Sequence, residues 1–235
     1  MIILGIESSS TAASCAVMKN RHLLGEFTLN HKLTHSEKLM PLIVDLLTSL
    51  DLKPLDLNLI AIDEGPGSYT GLRIGGAIAK GIGFVGNQNI ASISATSALA
   101  YNIKYIQNPI IPLIDARGDR VYHATYQWNN NEFIELASPD MSHISSLIEE
   151  LSTKHSQPFF VGDGAKKHQN LIESLYLNRG VPRFTDSTYE DVIKAHAICE
   201  LGYQAYLQGK STSIESFAPN YIRPSQAERN KTNVP

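Results

Sequence analysis

A glycine-rich loop is the part of this sequence whose residue types and spacing most directly suggest chemistry. Residues 65–71 read Gly-Pro-Gly-Ser-Tyr-Thr-Gly and precede a segment of helical spacing. Free backbone N–H groups at a helix start, together with the helix dipole, favour an anion. The loop and an early serine turn therefore supply the candidates for a phosphate site: Ser8, Ser9, Gly65, Gly67 and Ser68.

The spacing of the glycines limits that interpretation. No Gly-Lys-Ser/Thr follows, as it would in a Walker loop, and the glycines miss the dinucleotide-fold spacing by one residue. Glycine loops are also common turn structures. A purely structural turn therefore stands as the alternative.

Carboxylates follow three apolar runs, at Glu7, at Asp63 with Glu64, and at Asp115. Strand ends are where α/β folds gather chemistry, and carboxylate oxygens are ligands for magnesium. Acids at strand ends also form turns. Both interpretations stay open, and the first would place magnesium and a nucleotide near the glycine loop.

The remaining metal-ligand residue types do not form a convincing site. His31 and His35 have the spacing of ligands on a helix, but they straddle a predicted strand-to-helix junction without a third ligand nearby in sequence. Cys15 and Cys199 fit neither a disulfide framework nor a zinc motif. We predict no metal site and two buried thiols.

Hydrophobic patterning indicates the elements that must position these residues. In the first half we predict strands at 2–6, 13–19, 22–29, 57–65 and 90–94, with helices at 36–50, 66–84 and 95–103. The second half repeats the opening order of strand, turn beginning with an acid, and antiparallel strand, which suggests a structural duplication. The predicted units are an N-terminal lobe (1–107), completed by a helix at 189–208, a smaller lobe (108–188) and a polar tail (209–235).

A stripe of small residues marks the helix after the glycine loop. Gly71, Gly75, Ala79 and Gly83 are four residues apart, although each interior glycine costs up to about 1 kcal/mol relative to alanine. Such a stripe lets another backbone approach closely, either from this chain's own sheet or from a second subunit. Because the helix at 36–50 also has a broad apolar face, we favour a subunit interface formed by both helices. Its predicted contact positions are Leu39, Ile43, Leu46, Gly71, Gly75, Ala79 and Gly83.

Composition excludes several functional classes. Hydrophobic residues at 43% and charged residues at 18% describe an ordinary soluble protein. A net charge of -3 provides no basic field for strong stand-alone binding of nucleic acid. The apolar start is too short for a signal peptide or a membrane span, so we expect a cytoplasmic protein without membrane contact.

Five segments together resemble the TsaB family, formerly YeaZ, over nearly the whole chain. They read GIESSSTAASCAV, HSEKLMPLI, DEGPGSYTGLRIGGAIAKG, IDARGDRVYHA and PNYIR. The resemblance implies an α/β fold of the ASKHA superfamily of actin, sugar kinases and Hsp70 chaperones. In that fold two similar lobes each hold a mixed β-sheet flanked by helices.

The resemblance also implies a role in forming N6-threonylcarbamoyladenosine at adenosine 37 of tRNA. In that system the paralogous subunit TsaD transfers the group, TsaB binds TsaD, and the small ATPase TsaE joins the pair. TsaB-type helices corresponding to those near 36–50 and 69–85 form the bundle with TsaD, or a homodimer in isolation. Contact with tRNA is expected only through the complex.

The same resemblance argues against catalysis by this chain. The catalytic paralogue carries a metal-binding His-x-x-x-His after its counterpart of the strand at 90–94, where this sequence reads ISATSALAYN. We therefore expect a non-catalytic partner with no tightly bound cofactor, and ATP or ADP only within the multi-subunit complex. The alternative is an autonomous ATP-binding phosphotransferase or hydrolase.

Overall fold

The computed structural model describes residues 1–31, 35–104 and 106–222, which form two successive five-stranded sheets. The first contains β1 (Ile2–Glu7), β2 (Ala13–Lys19), β3 (His22–Leu29), β4 (Leu59–Gly65) and β5 (Asn89–Ser94). The second contains β6 (Ile110–Asp115), β7 (Arg120–Asn129), β8 (Glu132–His143), β9 (Phe159–Val161) and β10 (Arg183–Phe184).

The two sheets have the same strand order. The first runs β3-β2-β1-β4-β5, and the second runs β8-β7-β6-β9-β10. In each sheet the opening strands form an antiparallel meander, while the first strand pairs in parallel with a strand reached through a helical crossover. This repeated topology confirms the two-lobed ASKHA fold.

Seven helices cover the sheets within the described residues. They are α1 (His35–Ser49), α2 (Tyr69–Gly86), α3 (Ala95–Tyr101), α4 (Ile144–Lys154), α5 (Asp163–Lys167), α6 (Gln169–Tyr176) and α7 (Ala195–Leu207). The sequence pattern did not indicate α5, α6 or the short strand β10. In the part of the chain that the structure describes, no helix is long and apolar enough to cross a membrane.

Strands β1, β2 and β4 of the first sheet are buried on both faces because helices pack on each side, whereas the edge strand β3 is largely exposed. Leu4 of β1 belongs to the core beneath α1 and α2, whereas its neighbour Ile3 belongs to the core that contains α7. Helix α7 begins at Ala195 rather than at residue 189. Its start is determined by hydrogen bonds from the Ala195 N–H to Ser14 Oγ (3.1 Å) and from the His196 N–H to Glu26 Oε1 (2.9 Å).

An aromatic cluster joins the two lobes. Tyr101 of α3 lies 5.1 Å from the Trp128 ring and 5.3 Å from the Phe133 ring, centroid to centroid. The indole N–H of Trp128 donates to the Ile103 carbonyl at 2.6 Å. One hydrophobic core therefore contains residues from both sheets and from α7.

Residues 212–222 form a C-terminal strap along α2 instead of a loose tail. Thr212 bridges to Ile90 beside β5, and Ile214 and Phe217 are buried. The strap ends where Tyr221 stacks against Tyr69, with ring centroids 4.7 Å apart. The rest of the predicted polar tail, residues 223–235, lies outside the described residues.

Candidate functional site

A polar cluster lies where β1 and β4 end. Glu7 Oε1 accepts hydrogen bonds from the Ser10 N–H at 2.8 Å and from Ser9 Oγ at 3.3 Å. Asp63 Oδ1 accepts the Ser8 N–H at 3.2 Å. Parallel strands end at the same edge of a sheet, which brings these residues together as the strand-end interpretation expected.

This cluster is closed to solvent. Glu7 and Asp63 are at most 1% exposed, and Glu7 Oε2, Asp63 Oδ2 and Ser8 Oγ have no hydrogen-bond partner among the described residues. Burial, together with the neighbouring Asp63 charge, raises the pKa of Glu7 well above its usual value. Burial raises the pKa of Asp63 to about 6. A buried carboxyl pair of this kind holds protons more tightly than exposed acids do.

The glycine loop packs directly on the serine turn. A Cβ at Gly67 or Gly71 would collide with a backbone carbonyl oxygen of that turn, and the Ser68 N–H donates to the Ser9 carbonyl at 2.6 Å. The Ser68 side chain in turn accepts the Gly71 N–H at 3.2 Å, capping α2. Gly65 has a φ of +108°, which favours glycine. These contacts are those of a structural turn.

The five phosphate-site candidates therefore come together, but largely by contacting one another. Ser8 is fully buried, Ser9 is 2% exposed, and Gly65 is buried, so only Gly67 and Ser68 reach the surface. The N–H groups of Ser68 and Gly71 already have protein acceptors. A phosphate would have to displace these bonds.

Asp115 occupies the equivalent strand end in the second lobe. Its Oδ1 accepts Lys167 Nζ at 2.8 Å and the Arg117 N–H at 2.9 Å. Lys167 also donates to the Gly118 carbonyl at 2.9 Å. The lysine ammonium therefore lies beside the carboxylate oxygen that a magnesium ion would otherwise bind.

No metal centre is evident in the described part of the chain. No group of three or more His, Cys, Asp or Glu side chains is placed to hold a metal there. His31 is exposed, and the side chain of His35 lies outside the described residues. Cys15 and Cys199 are buried free thiols, as predicted. In α3, which follows β5 directly, the Thr96 hydroxyl hydrogen-bonds Tyr126 Oη at 3.0 Å.

The structure corrects the predicted contact positions of the subunit interface, because all of them lie in the chain's own interior. Leu39, Ile43, Leu46 and Ala79 are at most 2% exposed and belong to the core beneath α1 and α2. The glycines are buried too, and an added Cβ would meet Ser8 at Gly71 and Gly75 and Ile214 at Gly83. The small-residue stripe packs on the serine turn and the strap, which is the intrachain alternative.

An apolar surface remains on the outward side of the same two helices. Met40 and Val44 of α1 are 41% and 47% exposed, and Phe84 and Val85 of α2 are 79% and 62% exposed. A Cβ at Gly81 would have no heavy atom within 4 Å. We define the α1–α2 face as Met40, Val44, Ile74, Ala77, Ile78, Gly81, Phe84 and Val85. Helical phase could have separated the six α2 positions of this face from the buried stripe, because their spacings place them on another side of the helix.

Comparisons with known proteins agree with this fold. A family model described as "TsaD: tRNA N6-adenosine threonylcarbamoyltransferase" matches residues 22–231. The "tRNA threonylcarbamoyladenosine biosynthesis protein TsaB" of Bacillus subtilis is 29% identical over 97% of this chain and 96% of its own length. The protein of that name from Buchnera aphidicola subsp. Schizaphis graminum is 30% identical over 71% of this chain and 80% of its own.

A solved structure from Pseudomonas aeruginosa, described as an uncharacterized protein with similarity to peptidase YeaZ, shares the fold. Its TM-score is 0.77 at 23% identity, and the match covers 94% of this chain and 99% of that one. At this identity the likeness concerns the fold alone. The match therefore spans both lobes.

Proposed function

The chain belongs to the TsaB family of tRNA threonylcarbamoyladenosine biosynthesis proteins, and on that premise we propose that it is a partner subunit and not an enzyme in its own right. The proposed partner is a TsaD-type paralogue, which carries out the transfer to tRNA. The chain would stabilise or position that subunit. The observation that carries the proposal is the exposed apolar α1–α2 face.

The size of the exposed groups supports a docking role. Phe84 and Val85 are adjacent large apolar residues at the end of α2, and both are mostly exposed. Contiguous apolar surface of this kind marks interaction sites, whereas single exposed apolar residues are ordinary. Gly81 has no side chain and Ala77 has only a methyl group, and both face outward. A partner helix could therefore approach α2 closely between Ile74 and Val85.

The strand ends support a non-catalytic role. Glu7 and Asp63 are enclosed beneath the glycine loop, and Asp115 is paired with Lys167. Nucleotide chemistry at these positions would require an opened loop and a displaced lysine. We therefore propose that ATP or ADP binds only within the multi-subunit complex.

The wider assembly follows from the same proposal. A TsaE-type ATPase would join the pair, and tRNA would be contacted through the complex, since a chain of net charge -3 has no basic field of its own. In the absence of its partner the α1–α2 face would form a homodimer. We place this assembly in the cytoplasm.

Light scattering on a sizing column tests the partner role. The chain, a TsaD-type paralogue and their equimolar mixture are compared, using the parent, a Val44→Asp/Val85→Asp variant and the control Leu136→Asp, which changes a half-exposed leucine in the second lobe. We expect a one-to-one complex with the parent and the control, and at least about a tenfold weaker complex with the double variant. Normal assembly by the double variant would show that the α1–α2 face is not the interface.

A nucleotide-binding assay on the isolated chain separates the two functional classes. The partner role predicts no saturable binding of ATP or ADP without the other subunits. Binding by the isolated chain, lost in Glu7→Gln or Asp115→Asn, would support the autonomous phosphotransferase or hydrolase instead.

A further inference from the structure

A cavity in the second lobe, away from the α1–α2 face, is used by none of the roles above. Its volume is about 280 Å³, and it opens between α5, α6 and the chain that follows β10. A water molecule takes about 30 Å³ of liquid volume, so the cavity holds roughly nine water volumes, which suits a small molecule of a similar number of non-hydrogen atoms. The lining residues are Phe160, Ala165, Lys166, Gln169, Phe184, Thr185, Asp186, Thr188 and Asp191.

The floor of this cavity is apolar. The rings of Phe160 and Phe184 stack with centroids 5.8 Å apart, and Ala165 is buried beside them. Phe160 is fully buried, so the half-buried Phe184 offers the accessible ring surface. Transfer of an aliphatic group from water onto this floor would have a favourable free energy.

The rim carries separated charges of both signs. Asp191 and Lys166 interact electrostatically, yet they form no ion pair with each other among the described residues. Asp191 Oδ1 accepts the Gly162 N–H at 2.8 Å, and within the described chain no hydrogen bond engages its other carboxylate oxygen. Burial raises the pKa of Asp191 despite nearby Lys166, as expected for a half-buried carboxylate lacking a close cation.

The turn at residues 185–190, which contributes to the lining, is held by its own hydrogen bonds. Thr185 Oγ1 donates to the Ser187 carbonyl at 3.0 Å and contacts Glu190, while the Ser187 N–H returns a hydrogen bond to Thr185 Oγ1 at 3.0 Å. The Glu190 N–H donates to the Ser187 carbonyl at 3.1 Å. Such a closed turn lowers the ordering cost of binding.

We propose that this cavity binds a free α-amino acid with an aliphatic side chain. The ammonium group would meet Asp191, the carboxylate would meet Lys166, and the side chain would lie on Phe184. The two aspartates outnumber the one lysine in the lining, which disfavours phosphates and nucleotides. The proposal does not depend on the partner role.

Titration of the ¹⁵N-labelled full-length chain with L-leucine, followed by amide NMR, tests the site. N-acetyl-L-leucine lacks the ammonium charge, and L-leucine methyl ester lacks the carboxylate. We expect saturable shifts at millimolar L-leucine in residues 165–169 and 184–191, and weaker binding of both derivatives. Equal binding of the acetyl derivative, scattered shifts or no saturation would overturn the proposal.

Two variants sharpen this test. Asp191→Asn keeps an acceptor for the Gly162 N–H but removes the charge, and Lys166→Met removes the ammonium. Each should weaken L-leucine binding by about tenfold or more, because hydrogen bonds to charged groups contribute that much. Glu149→Gln, at an exposed position on α4, should bind as the parent does. Parent-like binding by Asp191→Asn would contradict the assignment of the ammonium group to Asp191. If Asp191→Asn does not fold, the Lys166→Met variant and the two leucine derivatives test the proposal instead.

Discussion

At the scale of single residues, the buried carboxyl pair is the most informative feature. Glu7 and Asp63 lie at carboxyl ends of parallel strands, where α/β folds commonly place ligand sites, but here they hold the serine turn from within. Their unpaired oxygens make ionisation of both costly. The pair therefore links the stability of the first lobe to pH.

Asp63→Asn should change that linkage. The raised pKa of Asp63 means that the folded chain binds a proton more tightly than the unfolded chain, so the free energy of unfolding falls as pH rises from the ordinary value of 3.8 through about 6. Asparagine keeps the acceptor for the Ser8 N–H without the charge. Relative to the parent, the variant should gain on the order of 2 kcal/mol between about pH 4 and pH 7.5, measured by urea unfolding.

The control for this change is Asp51→Asn, which alters an exposed aspartate whose positive φ asparagine tolerates. A parallel pH profile for Asp63→Asn and the parent would show that Asp63 ionises in the folded state without penalty.

At the scale of elements, α2 uses glycine for two different purposes. Gly71, Gly75 and Gly83 face inward and admit the serine turn and the strap, whereas Gly81 faces outward into open space. The sequence pattern predicted Gly75 as a contact with a partner, but a Gly75→Leu side chain would instead meet Ser8 inside the chain. The inward side of α2 therefore contributes to folding, and its outward side is free to contact a partner.

A pair of leucine substitutions tests this division. Gly75→Leu should lower stability by about 3 kcal/mol or more through overpacking, or prevent folding. Gly81→Leu should keep the thermal midpoint or raise it, because glycine in a helix interior costs up to about 1 kcal/mol, and should obstruct assembly with a TsaD-type subunit. A strongly destabilised Gly81→Leu, or a fully stable Gly75→Leu, would reverse the assignment of the two faces.

The strap should contribute measurably to the first lobe. Phe217 is 4% exposed and lies against Gly76, so Phe217→Ala should cost about 3 kcal/mol in urea unfolding. Leu207→Ala, at a position 66% exposed, is the matched control and should cost far less. Equal effects of the two changes would mean that the strap is not docked on α2.

At the scale of the whole molecule, the lobes behave as parts of one core. The core that contains α7 also includes residues of both sheets, and Tyr101 contacts aromatic rings of the second lobe. Helix α7 follows the second lobe in sequence yet packs on the first sheet, so the chain crosses between the lobes twice. Independent unfolding of either lobe would expose this shared surface.

Cooperative unfolding follows from that arrangement. Trp128 is the only tryptophan and lies at the joint, so its fluorescence reports separation of the lobes. Fluorescence and far-UV circular dichroism should give coincident urea midpoints. Two resolved transitions, with fluorescence changing first, would show that the lobes separate before they unfold.

Patterning within the sequence determined the strands and long helices of the first lobe and the internal duplication, because periodicities of two and 3.6 residues depend only on which faces are buried. The same patterns placed Glu7, Asp63 and the glycine loop near one another. Family resemblance added the ASKHA fold. All of these features depend on local side-chain type or on strand order.

Only the tertiary structure decided which side of each feature faces the protein. The stripe at Gly71, Gly75 and Gly83 could serve a partner or an internal neighbour equally well, and contacts with Ser8 and Ile214, far away in sequence, resolved that choice. The pairing of Asp115 with Lys167 and the strap along α2 are long-range contacts of the same kind. A spacing pattern specifies that a surface must be covered, whereas the identity of what covers it depends on how distant segments pack.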